Sequence, residues 1–380
     1  MKLILSQFAQ LLTALLALYA VALAASLLLV PHDDVGDRLN TMNAGTSLYI
    51  TEPKYVFMAR SRLNSSADKA ILLGASNMGA GFRQAQVQAR VPALEVHNLA
   101  VGGSNIGQVA QIVELVREVQ SPTARQHDIY VIGLWYGLFA DDKARWHTPD
   151  RHAGDTDIDI ERYRYGFYRR TEAGPVPLLP PQHLDLGVLL TRPYLVLDKE
   201  ARDLTASLRE LLGTKKRVLT DAQRNAAVID VAQQRKYLAF WRDYTDEAET
   251  VSDASIATLE RIVGTILADG GRVVLVDMPI PRWHAEGSAL AADYRRRIGA
   301  TLAHLRGRPG LAVLNMSDAM PDDEFSDEIH PKPRVTEAWA QRLGEVLNNE
   351  LAMQAAQAAQ ATQAVPAPGM SAAQQSASVR

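Results

Sequence analysis

The chain has 380 residues, of which 47% are hydrophobic and 22% are charged, and its formal net charge at pH 7 is -3. Such a composition is typical of a folded globular protein that can bury a full core, as one large domain or two ordinary ones. The lack of a basic excess argues against nucleic acid as a partner. The chain contains no cysteine, which excludes disulfides and thiolate metal sites but leaves the compartment open.

The N-terminal segment from Phe8 to Val30 runs for 23 residues without a charge, enough to cross the hydrocarbon core of a bilayer as a helix. Lys2 before it and Asp33 and Asp34 after it favour a single pass with the N-terminus inside. A cleaved signal peptide is the alternative, because Ala22-Leu23-Ala24 has the spacing of a cleavage site. The apolar run exceeds a usual signal core. We therefore predict an anchor over residues 1–34 in the cytoplasmic membrane, with the folded part on the periplasmic side.

Residues 35–67 mix polar and short apolar stretches and predict a stalk that packs onto a domain at 68–351. In that domain, apolar runs of strand length alternate with amphipathic helical stretches. This pattern predicts an α/β domain with a parallel sheet and helices on both faces. The predicted strands are 70–73, 94–99, 129–134, 272–276 and 311–314, and the predicted helices are 84–90, 107–119, 255–268, 289–305 and 335–351.

Residues 141–250 separate the third predicted strand from the fourth and are too long for a structureless loop. They show several helix-like patterns and no obvious strand partner. We predict an inserted cap over the carboxyl ends of the strands, where open α/β sheets bind ligands. Residues 352–380 are rich in Ala, Gln, Ser and Pro, which predicts a disordered tail because bulky apolar side chains are few.

Ser76 follows an apolar strand that stops at Gly74, in the segment Ile71-Leu-Leu-Gly-Ala-Ser76-Asn77. At the carboxyl edge of a parallel sheet its hydroxyl would be exposed near a helix N-terminus, which favours developing negative charge. This position suits a nucleophile. It also suits an N-cap, a common role for Ser at a strand-to-helix junction.

Asp327 and His330 lie in the segment Phe325-Ser-Asp327-Glu-Ile-His330-Pro331, after the last predicted strand and therefore at the same edge as Ser76. A serine hydroxyl is a poor nucleophile until a base takes its proton, and a third group that fixes the base improves it. The spacing lets Asp327 hold one ring nitrogen of His330 while the other faces Ser76. The alternative is a solvated acidic loop before a helix that begins at proline. Together the two segments predict a triad of Ser76, His330 and Asp327.

A glycine turn follows the second predicted strand, in Asn98-Leu-Ala-Val-Gly102-Gly103-Ser104-Asn105. Backbone N–H groups at such a turn can approach an oxyanion closely because no Cβ intervenes. A tight strand-to-helix turn would need the same glycines.

These segments resemble the conserved blocks of the SGNH, or GDSL-like, hydrolase superfamily. The resemblance covers roughly residues 69–120, 128–137 and 272–351. It implies a flavodoxin-like, three-layer parallel sheet with a helical insertion. It also implies Ser76 as nucleophile, Asp327 and His330 as orienting acid and base, and the N–H groups of Ser76 and Gly103 as oxyanion donors.

Two positions depart from the superfamily pattern. Ala75 stands where Asp usually precedes the nucleophile. After the third strand a G-x-N-D pattern would be expected, but this chain reads Gly133-Leu134-Trp135-Tyr136-Gly137 and lacks the side-chain amide donor. The indole N–H of Trp135 is still a donor, while Trp135 and Tyr136 can equally be packing residues under the cap.

An anchored domain of this kind, with a large insertion and a nonstandard third block, is similar to bacterial proteins that O-acylate cell-surface polymers. Examples are the alginate O-acetylation and teichoic-acid D-alanylation types. The resemblance implies transfer or removal of acyl esters, acetyl foremost, on a surface polysaccharide or other acylated polymer. It also implies a membrane-bound O-acyltransferase as partner. The alternative is a catalytically inactive subunit of the same fold that binds polymer or scaffolds a secretion or acylation complex.

Arg282 and His284 follow the fourth predicted strand and fall on the same edge of the sheet. With Asn77, Trp135 and Tyr136 they are candidate pocket residues, and loop packing is their alternative role. The histidines outside the triad lack a carboxylate at i, i+3 or i, i+4 on an evident helix. We therefore predict no metal site and no cofactor.

Overall fold

The computed structural model describes residues 2–29, 56, 60–140, 159, 163, 168–213, 219–318 and 320–364. Its strands are β1 (Lys69–Leu73), β2 (Glu95–Asn98), β3 (Asp128–Leu134), β4 (Tyr168–Thr171), β5 (Gly174–Pro177), β6 (Arg272–Asp277) and β7 (Leu311–Asn315). Five of them form a parallel sheet in the order β2-β1-β3-β6-β7. All five predicted strands are therefore confirmed, and their ends shift by one residue at most.

The helices alternate with these strands, as expected for an α/β protein. They are α1 (Lys2–Leu29), α2 (Arg60–Leu63), α3 (Ser76–Gly81), α4 (Gln84–Arg90), α5 (Ile106–Val119), α6 (Pro122–Arg125), α7 (Pro181–Leu211), α8 (Asp221–Asn225), α9 (Val231–Tyr244), α10 (Asp253–Ala268), α11 (Arg282–Glu286), α12 (Ala289–Leu305) and α13 (Thr336–Ala364).

The sheet is buried between two helical layers. β1 and β3 are buried along their whole length, as expected for apolar strands covered on both faces. The chain moves from β1 to β2 in one direction and from β2 to β3 in the other, so right-handed crossovers place α4 and α5 on opposite faces. α4 packs with α13, and α5 packs with α10. The change of direction between β1 and β3 creates a crevice at the carboxyl edge, the usual ligand position in such sheets.

The N-terminal helix α1 is long and apolar enough to cross a membrane, with a mean hydropathy of 2.4 in its most apolar window. Residues 30–55, which include the N-terminal part of the predicted stalk, lie outside the described residues. Near the end of the stalk, Val56 and Leu63 are fully buried. That end of the segment therefore packs onto the domain.

The insertion contains an antiparallel hairpin of β4 and β5 as well as the helices α7, α8 and α9. The sequence pattern predicts helices here but no strand. The hairpin forms around a tight turn before Gly174, whose φ of +102° is a conformation that suits glycine. Residues 141–158 lie outside the described part.

The last helix corrects the predicted tail. α13 continues to Ala364 rather than ending near residue 351. Alanine and glutamine have high helix propensity, so a helix that packs on the domain can extend through them without bulky side chains. Residues 365–380 lie outside the described range.

A buried ion pair joins the first residues of β1 and β3 at the amino edge of the sheet. Lys69 and Asp128 are register partners, their side chains are fully buried, and Nζ lies 3.8 Å from Oδ1. Gln120 donates to Asp128 Oδ2 over 2.8 Å and to the carbonyl of Leu63 over 2.8 Å. Burial raises the pKa of Asp128 to about 7. The two side chains therefore link β1 and β3 at the end of the sheet remote from Ser76.

The substitution Asp128→Ala is expected to lower the free energy of unfolding by about 3–5 kcal/mol at pH 8, where Asp128 is ionised, because it leaves the Lys69 ammonium buried without its carboxylate. Urea unfolding followed by tryptophan fluorescence measures the change. Glu114→Ala, which removes an exposed ion pair to Arg261, serves as the control and should stay within about 0.5 kcal/mol. An equally small effect of Asp128→Ala would contradict the structural role of the pair.

Candidate active site

Ser76 lies at the first turn after β1, an interior strand of the sheet. Gly74 follows the strand with a φ of +140°, and a Cβ there would come within 3.0 Å of the Gly133 carbonyl oxygen. Ala75 is the N-cap of α3 in extended conformation, and Ser76 is the first helical residue. The hydroxyl of Ser76 is therefore not used as a cap. It is presented at the carboxyl edge of the sheet.

Ser76, His330 and Asp327 form a chain of hydrogen bonds. Ser76 Oγ lies 2.8 Å from His330 Nε2. His330 Nδ1 lies 2.9 Å from Oδ1 and 2.8 Å from Oδ2 of Asp327. Because Asp327 accepts the Nδ1 proton, the neutral ring presents an unprotonated Nε2 to the hydroxyl of Ser76.

Backbone groups hold the carboxylate of Asp327 in place. Its Oδ1 accepts the N–H of Ile329 over 3.0 Å and that of His330 over 2.8 Å. Burial raises the pKa of Asp327, but the charge of His330, its hydrogen bond and these N–H groups outweigh burial and keep the pKa below its usual value. The orienting acid is thus ionised at neutral pH.

His330 shows the complementary shift. Burial lowers its pKa, but the charge and hydrogen bond of Asp327 outweigh burial, so the pKa of His330 lies above its usual value. Only 14% of its side chain is exposed. The site therefore stabilises an imidazolium, the state that His330 would reach after taking a proton from Ser76.

The glycine turn lies beside the Ser76 side chain. A Cβ built on Gly102 would come within 3.9 Å of the Cβ of Ser76. Ser104 ties the turn to the loop after β1 by donating to the Gly74 carbonyl over 3.1 Å. Within the described part of the chain, the N–H groups of Ser76 and Gly103 donate to no acceptor. Both remain available for a developing oxyanion.

Trp135 belongs to a buried aromatic cluster. Its side chain is 2% exposed and packs edge-on against Tyr136 at 5.0 Å and Trp241 at 4.9 Å between centroids. Its Nε1 is buried and meets no hydrogen-bond acceptor among the residues that the structure describes. The ring therefore packs beneath the insertion, which is the packing role that the sequence left open.

Tyr136 and His284 form a second buried chain of hydrogen bonds. Tyr136 Oη lies 2.6 Å from His284 Nε2, and His284 Nδ1 lies 2.7 Å from the Glu328 carbonyl oxygen. Burial lowers the pKa of His284 to about 4, so the ring is neutral, donates from Nδ1 and accepts the Tyr136 proton at Nε2. The pair therefore positions the backbone two residues before His330.

The other two candidate pocket residues have different surroundings. Arg282 is 81% exposed and pairs with Glu286 over 2.6 Å, so its guanidinium lies on the surface and the expectation that it lines a pocket is corrected. Asn77 is fully buried and its Oδ1 accepts the N–H of Met78 over 2.9 Å. Its Nδ2 is buried and meets no hydrogen-bond acceptor within the described part of the chain.

The helix α9 contacts both loops of the site, which the sequence pattern did not reveal. Trp241 Nε1 donates to Glu328 Oε1 over 3.4 Å, and Tyr244 Oη donates to the Gly103 carbonyl over 3.4 Å. The spacing of Tyr237, Phe240, Trp241 and Tyr244 is that of one helical face. That spacing is the signal that could have identified an aromatic cover.

A cavity with a volume of about 340 Å³ adjoins the aromatic cluster and is lined by Tyr136, Trp241, Arg242, Ser288 and neighbouring residues. Its lining includes none of the three triad residues. In the described segments no group of three His, Asp or Glu side chains is placed to hold a metal ion.

No protein-family model matches the chain, and no curated protein matches it. The roles of Ser76, Asp327 and His330 therefore rest on their geometry and on the resemblance of the sequence segments.

For Asp327→Asn we expect a changed pH profile of labelling by a serine-reactive fluorophosphonate. Labelling of Ser76 needs neutral His330, so the wild-type rate should rise with pH through a midpoint above about 6.5. Without the Asp327 charge the midpoint should fall. The limiting labelling rate at high pH should fall on the order of 10,000-fold, because the substituted Asn side chain no longer fixes the tautomer of the His330 ring. Asp323→Asn, on the exposed part of the same loop, is the control, and an unchanged profile in Asp327→Asn would rule out the orienting role.

Trp135→Phe removes the indole N–H and keeps an aromatic ring in the cluster. If Trp135 only packs, the labelling rate of Ser76 should stay within about threefold of wild type. An oxyanion donor would instead cost about 100- to 1,000-fold. Labelling rates, compared at equal folded fraction by near-UV circular dichroism, distinguish the two roles.

Proposed function

We propose that the protein is an exported, membrane-anchored serine enzyme, similar to SGNH hydrolases, that transfers or removes acyl esters on a cell-surface polysaccharide. Acetyl is the acyl group proposed first. The observation that carries the proposal is the hydrogen-bonded chain from Ser76 through His330 to Asp327, at the carboxyl edge of a parallel sheet. The glycine turn beside Ser76 adds the second requirement, free N–H groups next to the hydroxyl.

In the proposed first half-reaction, Ser76 Oγ attacks the carbonyl carbon of the donor ester while His330 Nε2 takes the hydroxyl proton. Asp327 stabilises the resulting imidazolium. The N–H groups of Ser76 and Gly103 hold the tetrahedral oxyanion. When the carbonyl reforms, the bond to the leaving oxygen breaks and His330 returns its proton to that oxygen. The product is an acyl ester of Ser76.

In the second half-reaction, a hydroxyl group attacks the acyl carbon and His330 again accepts the proton. The bond from the acyl carbon to Ser76 Oγ then breaks, and His330 returns the proton to Ser76 Oγ. A polymer hydroxyl gives transfer, and water gives hydrolysis. Exclusion of water favours transfer, and the low exposure of His330 beneath α9 supports such exclusion. We therefore favour transfer to a polymer hydroxyl.

The surface beside the site supports a carbohydrate as substrate. Tyr237 and Trp283 stack at 6.4 Å, and Phe240 is 51% exposed on the same helix as Trp241. Aromatic rings that combine a broad apolar face with polar edges suit the similarly amphipathic faces of sugar rings. Together with α1 as an anchor, this surface favours a periplasmic polymer, with a membrane-bound O-acyltransferase as the proposed partner.

A serine-reactive fluorophosphonate should label the folded wild type at Ser76, and Ser76→Ala should abolish labelling. Ser317→Ala, in the loop after β7 at the same sheet edge, is the matched control and should label normally. Release of p-nitrophenol from p-nitrophenyl acetate should follow the same pattern. It should accelerate when an oligosaccharide acceptor is added. A folded wild type that takes no label would overturn the enzyme proposal in favour of an inactive binding subunit.

A further inference from the structure

The helix α7 carries a stripe of exposed leucines that the site does not use. Six leucines, here called the leucine stripe, are 45% to 83% exposed: Leu186, Leu190, Leu197, Leu204, Leu208 and Leu211. Their spacing of four, seven, seven, four and three residues places them on one face of the helix. A continuous apolar face of this length is rarely left in water and marks an interaction surface.

The first half of α7 is attached to α1, the helix that can cross a membrane. Tyr19 Oη donates to the carbonyl of Leu190, and Arg192 Nε donates to the carbonyl of Ser26 over 3.3 Å. Arg192 and Ser26 are 3% and 4% exposed. Both contacts lie within about 15 Å of the C-terminal end of α1, at a rise of about 1.5 Å per residue. Since half of the hydrocarbon core is about 15 Å thick, an anchored α1 holds the first half of α7 against the half of the bilayer that faces the folded domain.

The contacts with α1 favour lipid over a partner helix. In a coiled coil, Leu190, Leu197 and Leu204 would take one apolar heptad position, and Tyr194, Ala201 and Leu208, four residues further on, would take the other. The spacing of the leucine stripe therefore suits either occupant. Lipid is the occupant that we favour, because the first half of α7 contacts α1, which itself lies in lipid when it spans a membrane.

The sequence after α7 adds charge complementarity. Lys215, Lys216 and Arg217 follow the helix within a few residues. Cations that follow an apolar helix closely in the sequence favour the anionic headgroups of a membrane.

We propose that α7 is an amphipathic helix whose leucine stripe inserts into the extracytoplasmic leaflet beside α1. The proposal rests on the membrane anchoring that is part of the proposed function, and it is independent of the triad. Two attachments, α1 across the bilayer and α7 along its surface, fix the orientation of the domain. A single span followed by a stalk would leave the domain free to tilt.

The absence of cysteine allows a direct test on the full-length protein, because every introduced cysteine is unique. Leu204→Cys and Leu208→Cys place a fluorescent probe on the leucine stripe, and Arg209→Cys and Glu210→Cys are matched exposed controls off the stripe. Each labelled protein is reconstituted into vesicles of phosphatidylcholine and phosphatidylglycerol, with and without nitroxide-bearing lipid. We expect quenching at the stripe at least threefold stronger than at the controls.

A fifth variant, Leu15→Cys in α1, separates this proposal from the membrane anchoring. Strong quenching at Leu15→Cys with equal, weak quenching at Leu204→Cys and Glu210→Cys would overturn the role of α7 alone. No quenching at Leu15→Cys would overturn both the membrane anchoring by α1 and the lipid contact of α7. Stripe probes shielded from nitroxide lipid and from aqueous iodide alike would show that protein covers the leucines, which also rejects lipid as the occupant.

Discussion

The hydrogen bond between Ser76 and His330 joins residues 254 positions apart, so the site exists only while the sheet and its last helix keep their arrangement. Gly81, at the end of α3, leaves room for the ring of Trp339 in α13, since a Cβ there would come within 2.5 Å of it. This contact presses the helix that begins at Ser76 onto α13. The segment that carries His330 closes on itself through a bridge between Phe325 and Pro331. The distance between Ser76 and His330 thus depends on packing remote from the two side chains.

Two adjacent carboxylates in this segment have opposite pKa shifts, and the difference assigns their roles. Burial raises the pKa of Glu328, and the charge of Asp327 raises it further. Asp327 is also penalised by burial, yet three N–H groups and the charge of His330 lower its pKa. The hydrogen bonds therefore make Asp327 the stronger of the two neighbouring acids. Tyr136 and His284 hold the backbone carbonyl of Glu328, so this segment is held by neutral groups that add no charge.

The sequence predicted what depends on local pattern and on the rules of parallel sheets. Apolar runs marked the five strands, and the rule that carboxyl ends meet at one edge brought Ser76 together with His330. The hydrogen-bonding role of His284 could not be predicted from the sequence, because its partners, Tyr136 and the Glu328 carbonyl, come from two distant segments. The aromatic face of α9 was visible in its spacing, but no rule of pairing says where an inserted helix will pack.

The insertion contacts both the N-terminal helix α1 and the candidate active site. Its α7 contacts α1, and its α9 contacts the glycine turn through Tyr244. Between them, α8 is fastened to the domain by an ion pair of 2.8 Å from Asp221 to Arg83 and by Asn225, which accepts the N–H of Arg334 over 3.0 Å. These contacts hold the insertion against the part of the domain that carries Ser76. Under the proposed function, an acyl donor at the membrane would meet a site whose cover belongs to the same insertion as α7.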